Sequence, residues 1–187
     1  WGEGDKCVLI DPGFDGNQIL EQVRLQGKQV EAILLTHGHF DHIYGAADFA
    51  RTYNVPIYMD SKETYSFEHT NPYVCNCYGL DLPELPESFT SVKDGDVIEV
   101  GSLRFEVLQT PGHSVGGVSY LERNENILFS GDTLFAGAIG RTDHPGGDYD
   151  ALMKGIFEKL MELDGDIKVI PGHGPESEIA QERTTNP

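Results

Sequence analysis

Three histidines and an aspartate are crowded into the segment "THGHFDH" (residues 36–42), directly after a strongly apolar run. His and Asp are poor residues for an apolar core, so packing does not explain this cluster. In an extended segment, residues i and i+2 point to the same side, so His37 and His39 can converge on one metal ion. Asp41 and His42 follow after a bend, and we expect them to face a neighbouring ion. The spacing therefore predicts a metal site at the end of a buried strand.

Three further strand-like runs end in a glycine-containing turn that carries a metal-type side chain. These side chains are His113 in "TPGHS", Asp132 in "SGDT" and His173 in "PGHGP". Functional groups often gather in loops on a rigid sheet. Seven candidate ligands suit two ions, each with a position left for water, as in catalytic metal sites. We expect one ion on His37, His39 and His113, the other on Asp41, His42 and His173, and Asp132 as the bridge. His69 is expected at the surface, and His144 is left open.

The elements that carry these residues fall into two β-rich halves. Residues 7–59 predict a β-α-β-α-β series, and residues 97–132 predict an antiparallel meander. Between them, residues 61–90 read as a partly ordered excursion. An apolar helix face is expected from Leu152, Met153, Ile156, Phe157, Leu160 and Leu163, followed by a strand and a polar C-terminal helix. Two sheets with helices outside indicate a sandwich, and we expect a single domain over residues 1–187.

The charge of the chain excludes some partners. Its 187 residues include 13 Lys plus Arg against 31 Asp plus Glu, a formal net charge of -18. Such a chain repels polyphosphate, so we expect no nucleic acid and no membrane as partner. The sequence gives no indication of the oligomeric state. The sequence shows no long apolar segment, which favours the cytoplasm. Cys75 and Cys77 are expected to be free thiols in a surface loop.

Five motifs together resemble those of metallo-β-lactamase-fold hydrolases: "DPG", "THGHFDH", "TPGHS", "GDTLF" and "PGHGP". The chain looks most like small glyoxalase II-type (hydroxyacylglutathione hydrolase-like) proteins, because of "SGDTLFAGAIGRTDHPGGD" and the closing "PGHGP". The resemblance implies an α/β fold, an αββα sandwich of two mixed sheets with helices on the outer faces, and a dinuclear site on the seven residues above. Typical glyoxalase II enzymes carry a third histidine where this chain has Gly38 and a C-terminal helical domain, which we do not expect here. We expect the first strands to be partly missing at the N-terminus.

These residues predict a metal-dependent hydrolase acting on a small-molecule thioester. Two divalent ions, zinc by preference with iron or manganese as alternatives, can share a hydroxide, since coordination lowers the pKa of water from about 15.7 towards roughly 7. That hydroxide would attack the thioester carbonyl, and one ion would stabilise the oxyanion. We expect Asp41 and Asp132 to be catalytic, with Asp41 also orienting the hydroxide. Arg141 either grips a substrate carboxylate or forms a structural salt bridge, and the sequence favours neither.

The main rival is a mononuclear iron persulfide dioxygenase of the same fold, a class that also carries a "GRTD"-like segment. It would use His37, His113 and Asp132 as its iron ligands, and metal stoichiometry separates it from the hydrolase. Two others are weaker. Some β-lactamases of this fold need a metal-binding cysteine near Asp132, where the chain reads "SGDTLF". A metal-storing protein would close the coordination of its ions rather than leave room for substrate.

Overall fold

A computed structural model describes residues 2–186, with side chains from residue 4 onward, so Trp1 and Pro187 at the ends of the expected domain lie outside the described residues. The strands are β1 (Gly2–Glu3), β2 (Lys6–Ile10), β3 (Gln29–Leu34), β4 (Ile57–Met59), β5 (Thr90–Ser91), β6 (Val97–Val100), β7 (Leu103–Gln109), β8 (Val118–Glu122), β9 (Ile127–Gly131), β10 (Leu134–Phe135), β11 (Ala138–Ile139), β12 (Lys168–Pro171) and β13 (Ser177–Glu178). The helices are α1 (Gly16–Leu25), α2 (Phe40–Ile43), α3 (Ala46–Tyr53), α4 (Asn71–Tyr78), α5 (Tyr149–Gly155) and α6 (Ile179–Thr185). A 3₁₀ turn covers Ser61–Glu63, and π-helical turns cover Ser66–Thr70 and Ile156–Leu160. None of the helices within residues 2–186 has the length and apolar character needed to span a membrane.

The first sheet has the order β1-β2-β3-β4-β5, and β2 to β5 run parallel. Parallel strands need crossover connections, which α1 and α3 supply between β2, β3 and β4. Successive residues of the run that contains β3 point to opposite faces. Ile33 and Leu35 pack with Phe49 of α3 on the outer face, and Leu34 packs into the other core cluster. This double burial explains why the segment is apolar throughout.

The second sheet has the order β13-β12-β9-β8-β7-β6. Strands β6 to β9 form the predicted antiparallel meander, and β12 joins β9 in parallel. Its outer face is covered by α6 and the π-helical turn after α5, where Leu160 and Ile179 pack with Leu128 and Val169. Helices thus cover the outside of both sheets.

The inner faces of the sheets share one core. Leu34 of the first sheet packs in one cluster with Phe105, Tyr120 and Phe129 of the second. The expected αββα sandwich is therefore confirmed, with two mixed sheets inside and helices outside.

The stretch after β4 is more regular than the sequence indicated. Helix α4 occupies part of the expected excursion, with Pro72 in its first turn and Gly79, at φ 66°, ending it in the left-handed region. The expectation that both thiols lie in a surface loop was wrong, because they lie in this helix, with Cys75 buried and Cys77 exposed.

The apolar helix face near the C-terminus was also predicted too broadly. Leu152, Ile156 and Leu160 are buried, but the side chain of Phe157 is exposed. Phe157 lies one residue after Ile156, about 100° further around the helix, and so falls outside the buried stripe of residues spaced four apart.

Tyr120 joins the two sheets by a buried hydrogen bond, which gives a stability prediction. Its side chain is fully buried, and its hydroxyl donates to the Leu35 carbonyl at 2.9 Å, directly before "THGHFDH". Tyr120→Phe leaves this contact unmade, so we expect the free energy of unfolding to fall by about 1–2 kcal/mol in chemical denaturation. Tyr73→Phe, at an exposed position, is the matched control, with an expected change within about 0.5 kcal/mol. Equal stability of the two variants would contradict a stabilising role for the Tyr120 hydroxyl.

Candidate metal centre

The seven side chains expected as ligands meet at one edge of the sandwich. His37 and His39 follow β3, Asp41 and His42 lie in α2, and His113, Asp132 and His173 follow β7, β9 and β12. Strands β7, β9 and β12 run in one direction, because β8 is antiparallel to both of its neighbours and β12 is parallel to β9. Their carboxyl ends therefore share an edge, which is the usual place for a site in an α/β fold.

His37, His39 and His113 form a first cluster, in which all three side chains are buried. The ring centroids of His39 lie 4.6 Å from those of both His37 and His113, and the candidate ligand atoms of the three residues lie within 4.8 Å of one another. The Nε2 atom of each ring is buried and has no hydrogen-bond partner among the described residues. Unpaired buried nitrogens are rare and costly, so the cluster fits three lone pairs directed at a shared cation.

In His113 and His37, hydrogen bonding at Nδ1 leaves the Nε2 lone pair free to bind a metal ion. The Arg141 carbonyl, which can only accept, lies 2.8 Å from His113 Nδ1, so that nitrogen carries the proton. The Thr36 hydroxyl donates to Asp11 Oδ2 at 2.5 Å and lies 3.0 Å from His37 Nδ1, from which it can accept. A proton on Nδ1 places the lone pair on Nε2, the tautomer that a metal ligand needs.

Asp41, His42 and His173 form a second cluster. His173 Nε2 lies 3.2 Å from both Asp41 Oδ2 and His42 Nε2, and His42 Nε2 lies 3.8 Å from Asp41 Oδ2. His42 is buried, whereas the His173 side chain is 56% exposed. The second cluster is therefore open to small molecules on one side.

Asp132 lies between the two clusters. Its Oδ1 is 3.3 Å from His42 Nε2, and its Oδ2 is 3.6 Å from both His113 Nε2 and His173 Nε2. One carboxylate thus reaches ring nitrogens of both clusters, which is the geometry that a bridging ligand requires.

The pKa values of the histidines separate the clusters by charge. Burial lowers the pKa of every ring in the first cluster, and neighbouring imidazoles lower that of His37 further. Burial also acts to lower the pKa of His42, but the hydrogen bond to Asp11 and the nearby carboxylate of Asp132 raise it well above its usual value. The first cluster is thus held neutral, as a ligand must be, while the carboxylates around His42 favour a positive charge.

Asp11 is the contributor that the sequence argument missed. It directly follows β2, in the motif "DPG", with a positive φ of 46°. Its carboxylate accepts from the Thr36 amide at 2.7 Å and lies 3.0 Å from His42 Nδ1. In the sequence, "DPG" is used only as a family motif, although an acidic residue directly after a neighbouring parallel strand is a usable signal for a site residue.

A cavity of about 790 Å³ lies against both clusters. Its lining includes the candidate ligands His39, Asp41, His113, Asp132 and His173. It also includes a largely apolar set of side chains: Phe14, Phe40, Val74, Leu80, Phe135 and Ile139. Phe14 and Phe40 meet edge to face at 5.8 Å between centroids. The cavity therefore combines a polar reaction side with an apolar binding surface, as enzyme sites commonly do.

Arg141 lines this cavity, but its charged group already has a partner. Its Nε and one terminal nitrogen donate to the two oxygens of Asp143 at 2.6 and 2.7 Å. The hydrogen bonds from Arg141 lower the pKa of Asp143 to about 2. The guanidinium is thus in a bidentate ion pair at the rim of the cavity.

The two remaining histidines, His69 and His144, differ in their distance from the metal centre. His69 is exposed, as expected. His144 lines the cavity, and its ring stands nearly perpendicular to that of His39 at 5.9 Å between centroids. His144 therefore belongs to the surroundings of the first cluster without being one of its members.

The chain is similar to known proteins both in sequence and in structure. The sequence matches the description of the Metallo-beta-lactamase superfamily over residues 1–173. Hydroxyacylglutathione hydrolase GloC of Haemophilus influenzae is 34% identical over 190 residues, which cover 100% of this chain and 89% of that protein. The solved structure of the B3 metallo-beta-lactamase BLEG-1 is 35% identical, covers 100% of this chain and 90% of its own, and superimposes with a TM-score of 0.91. TTHA1623, solved in a di-iron-bound form, is 34% identical with a TM-score of 0.87, covering 96% of this chain and 88% of its own. The resemblance seen in the motifs is confirmed, and the chain belongs to the metallo-beta-lactamase superfamily.

Proposed function

We propose that this protein is a metal-dependent hydrolase that cleaves small thioesters resembling hydroxyacylglutathione. The observation that carries the proposal is the set of three buried imidazoles with unpaired Nε2 atoms, beside a second cluster and a cavity. The similarity to hydroxyacylglutathione hydrolase GloC supports the same class of reaction.

The residues fit two divalent ions. The first cluster would hold one ion, the second cluster would hold the other, and Asp132 would contact both. Imidazole and carboxylate ligands suit zinc, iron and manganese, and we favour zinc. The di-iron form of TTHA1623 supports iron as the alternative.

The chemistry then divides between the bound ions and the chain. Divalent ions, when bound, lower the pKa of water from about 15.7 towards roughly 7 and offset negative charge on a carbonyl oxygen. Asp41 lines the cavity and can accept a hydrogen bond from a water molecule, which orients that water towards a substrate carbonyl. Asp132 has carboxylate oxygens near both clusters and would serve as a ligand in each. The thiolate of a thioester leaves without obligatory protonation, so the chain needs no proton donor for it.

The cavity also favours a small organic substrate. A carbonyl next to the candidate ligands would bring the rest of the molecule into contact with apolar side chains of the same cavity, such as Phe14 and Phe135. Two substituents, an acyl group and a thiol carrier, suit a cavity of about 790 Å³.

The alternative function is that of a mononuclear iron persulfide dioxygenase. Its three ligands would be His37, His113 and Asp132. His113 Nε2 lies 3.6 Å from Asp132 Oδ2, and the His37 and His113 ring centroids are 5.0 Å apart, so these residues can also serve a single ion.

Metal content and turnover together test the proposal. We expect close to two ions per chain by elemental mass spectrometry on protein purified without chelators, and hydrolysis of lactoylglutathione that ceases after metal removal. One iron per chain with oxygen uptake on glutathione persulfide would instead establish the alternative. A β-lactam belongs in the same panel because of the similarity to BLEG-1, and its preferential hydrolysis would contradict the thioesterase proposal.

Asp132→Ala tests the bridging role. Because its carboxylate reaches nitrogens of both clusters, we expect the variant to lose at least one ion per chain and thioester turnover to fall by at least about 100-fold. Asp150→Ala, at an exposed position in α5, is the control and should keep its full metal content. Normal metal content in the Asp132 variant would refute the bridge.

Substitutions of Arg141 and of Asp143 are expected to change KM in opposite directions for an anionic substrate. Arg141→Ala should raise KM about tenfold for an anionic thioester such as lactoylglutathione, and much less for a neutral N-acetylcysteamine thioester. Asp143→Asn releases the guanidinium from its present partner and should lower KM for the anionic substrate. If each substitution changes KM for both substrates equally, the ion pair is structural and Arg141 does not bind substrate.

A further inference from the structure

A fully buried carboxylate stands behind the first cluster without belonging to it. Glu63 ends the 3₁₀ turn that follows β4, and its exposed fraction is 0%. Among the described residues, no positively charged side chain pairs with it. Its carboxylate accepts hydrogen bonds from backbone amides and hydroxyl groups. A buried acidic group held by neutral donors alone is uncommon and calls for a functional explanation.

The two oxygens of Glu63 hold two separate loops. Oε2 accepts from the Gly38 amide at 2.6 Å and from the Ser66 hydroxyl at 2.8 Å. Oε1 accepts from the Gly116 amide at 2.6 Å. Gly38 lies between His37 and His39, and Gly116 lies three residues after His113. A single carboxylate thus connects the two chain segments that carry all three members of the first cluster.

The packing around residue 38 is adapted to this carboxylate. A Cβ atom at Gly38 would lie 2.9 Å from Glu63 Oε2 and 3.0 Å from the Glu63 carbonyl oxygen, so a side chain there would push the carboxylate away. The typical glyoxalase II sequence has a histidine at this position. In this chain the room is taken by Glu63, which explains in steric terms why residue 38 is glycine.

We propose that Glu63 is a positioning residue for the first metal ion: it ties the His37–His39 segment to the His113 loop so that the three Nε2 atoms face one ion. This inference rests on the proposed metal-dependent function. Glu63 is not itself a ligand in this scheme, because both of its oxygens are engaged by backbone amides.

The chemistry of the carboxylate provides a selective variant. Both backbone donors need an acceptor, and only a carboxylate offers acceptors at both ends. Glu63→Gln keeps the volume but turns one end into an NH₂ group, which then faces an amide N–H. One of the two loops is released, while the core packing is retained.

The test measures zinc affinity by competition with a chromophoric chelator. Each cluster is measured separately, in a variant in which the other cluster has lost a ligand. In a His173→Ala background, which leaves the first cluster intact, we expect Glu63→Gln to weaken zinc binding about 10- to 100-fold. In a His39→Ala background, which leaves the second cluster, we expect the same substitution to change zinc affinity less than about twofold. A site-selective loss of this kind is not produced by a general loosening of the fold.

Glu122→Gln is the matched control. Glu122 is also fully buried, and its two oxygens also accept from two backbone amides, Arg104 at 3.2 Å and Glu125 at 2.7 Å. It lies at the end of β8 away from the metal centre. We expect Glu122→Gln to lower Tm while leaving zinc affinity in both backgrounds unchanged.

The outcomes separate this inference from the proposed function. Unchanged zinc affinity in Glu63→Gln, or equal weakening at both clusters, would overturn the positioning role and leave the hydrolase proposal intact. If the unmodified chain binds none of zinc, iron and manganese, both the positioning role and the proposed function are overturned. If Glu63→Gln does not fold, Gly38→Ala replaces it, because the added methyl displaces the carboxylate while Glu63 remains; zinc affinity equal to that of the unmodified chain would then refute the inference.

Discussion

A hydrogen bond of 2.8 Å from the Val118 amide to the Thr36 carbonyl joins the two sheets where the ligand-bearing loops begin. The amide and hydroxyl of Thr36 both donate to Asp11, and the same hydroxyl is within 3.0 Å of His37 Nδ1. Thr36 is buried, so these polar groups have no water as an alternative partner, and each lost contact would leave a buried group unsatisfied. The spacing between β3 and β8, and with it the position of His37 relative to the His113 loop, depends on this residue.

The ligand groups are held by backbone hydrogen bonds rather than by charge pairing alone. Asp11 accepts from a backbone amide just after β3, Glu63 accepts from amides in two loops, and the Arg141 carbonyl accepts from the His113 ring. This arrangement has a cost, because neutral imidazoles and carboxylates are crowded at short distances and are partly removed from water. The apolar cores on the two sides of each sheet supply the stability that offsets the cost, and cation binding to the folded state would add to it.

The sequence predicted the parts of the site that follow from strand ends. Each of "THGHFDH", "TPGHS", "SGDT" and "PGHGP" directly follows an apolar strand, so the convergence of their polar side chains could be inferred once a sandwich was expected. Glu63 could not be inferred, because it acts through backbone amides and lies in a stretch without clear periodicity. Helix α4 was missed for a similar reason, since its start and end depend on Pro72 and Gly79 rather than on an apolar pattern. For Arg141 the sequence left two roles open, because an arginine next to many acidic residues has no sequence signal that selects its partner.

Charge links the metal centre to substrate choice. The whole chain carries a formal charge of -18, and Arg141, a cationic side chain at the cavity, is neutralised by Asp143. Asp11, Asp41 and Asp132 add negative charge beside the two clusters. Without metal, these carboxylates would disfavour an anionic thioester, whereas two divalent ions, if bound as proposed, would carry more positive charge than the three carboxylates carry negative charge and would make the local potential positive. For an anionic substrate, both binding and hydrolysis would then depend on bound metal. For a neutral thioester, only hydrolysis would depend on it.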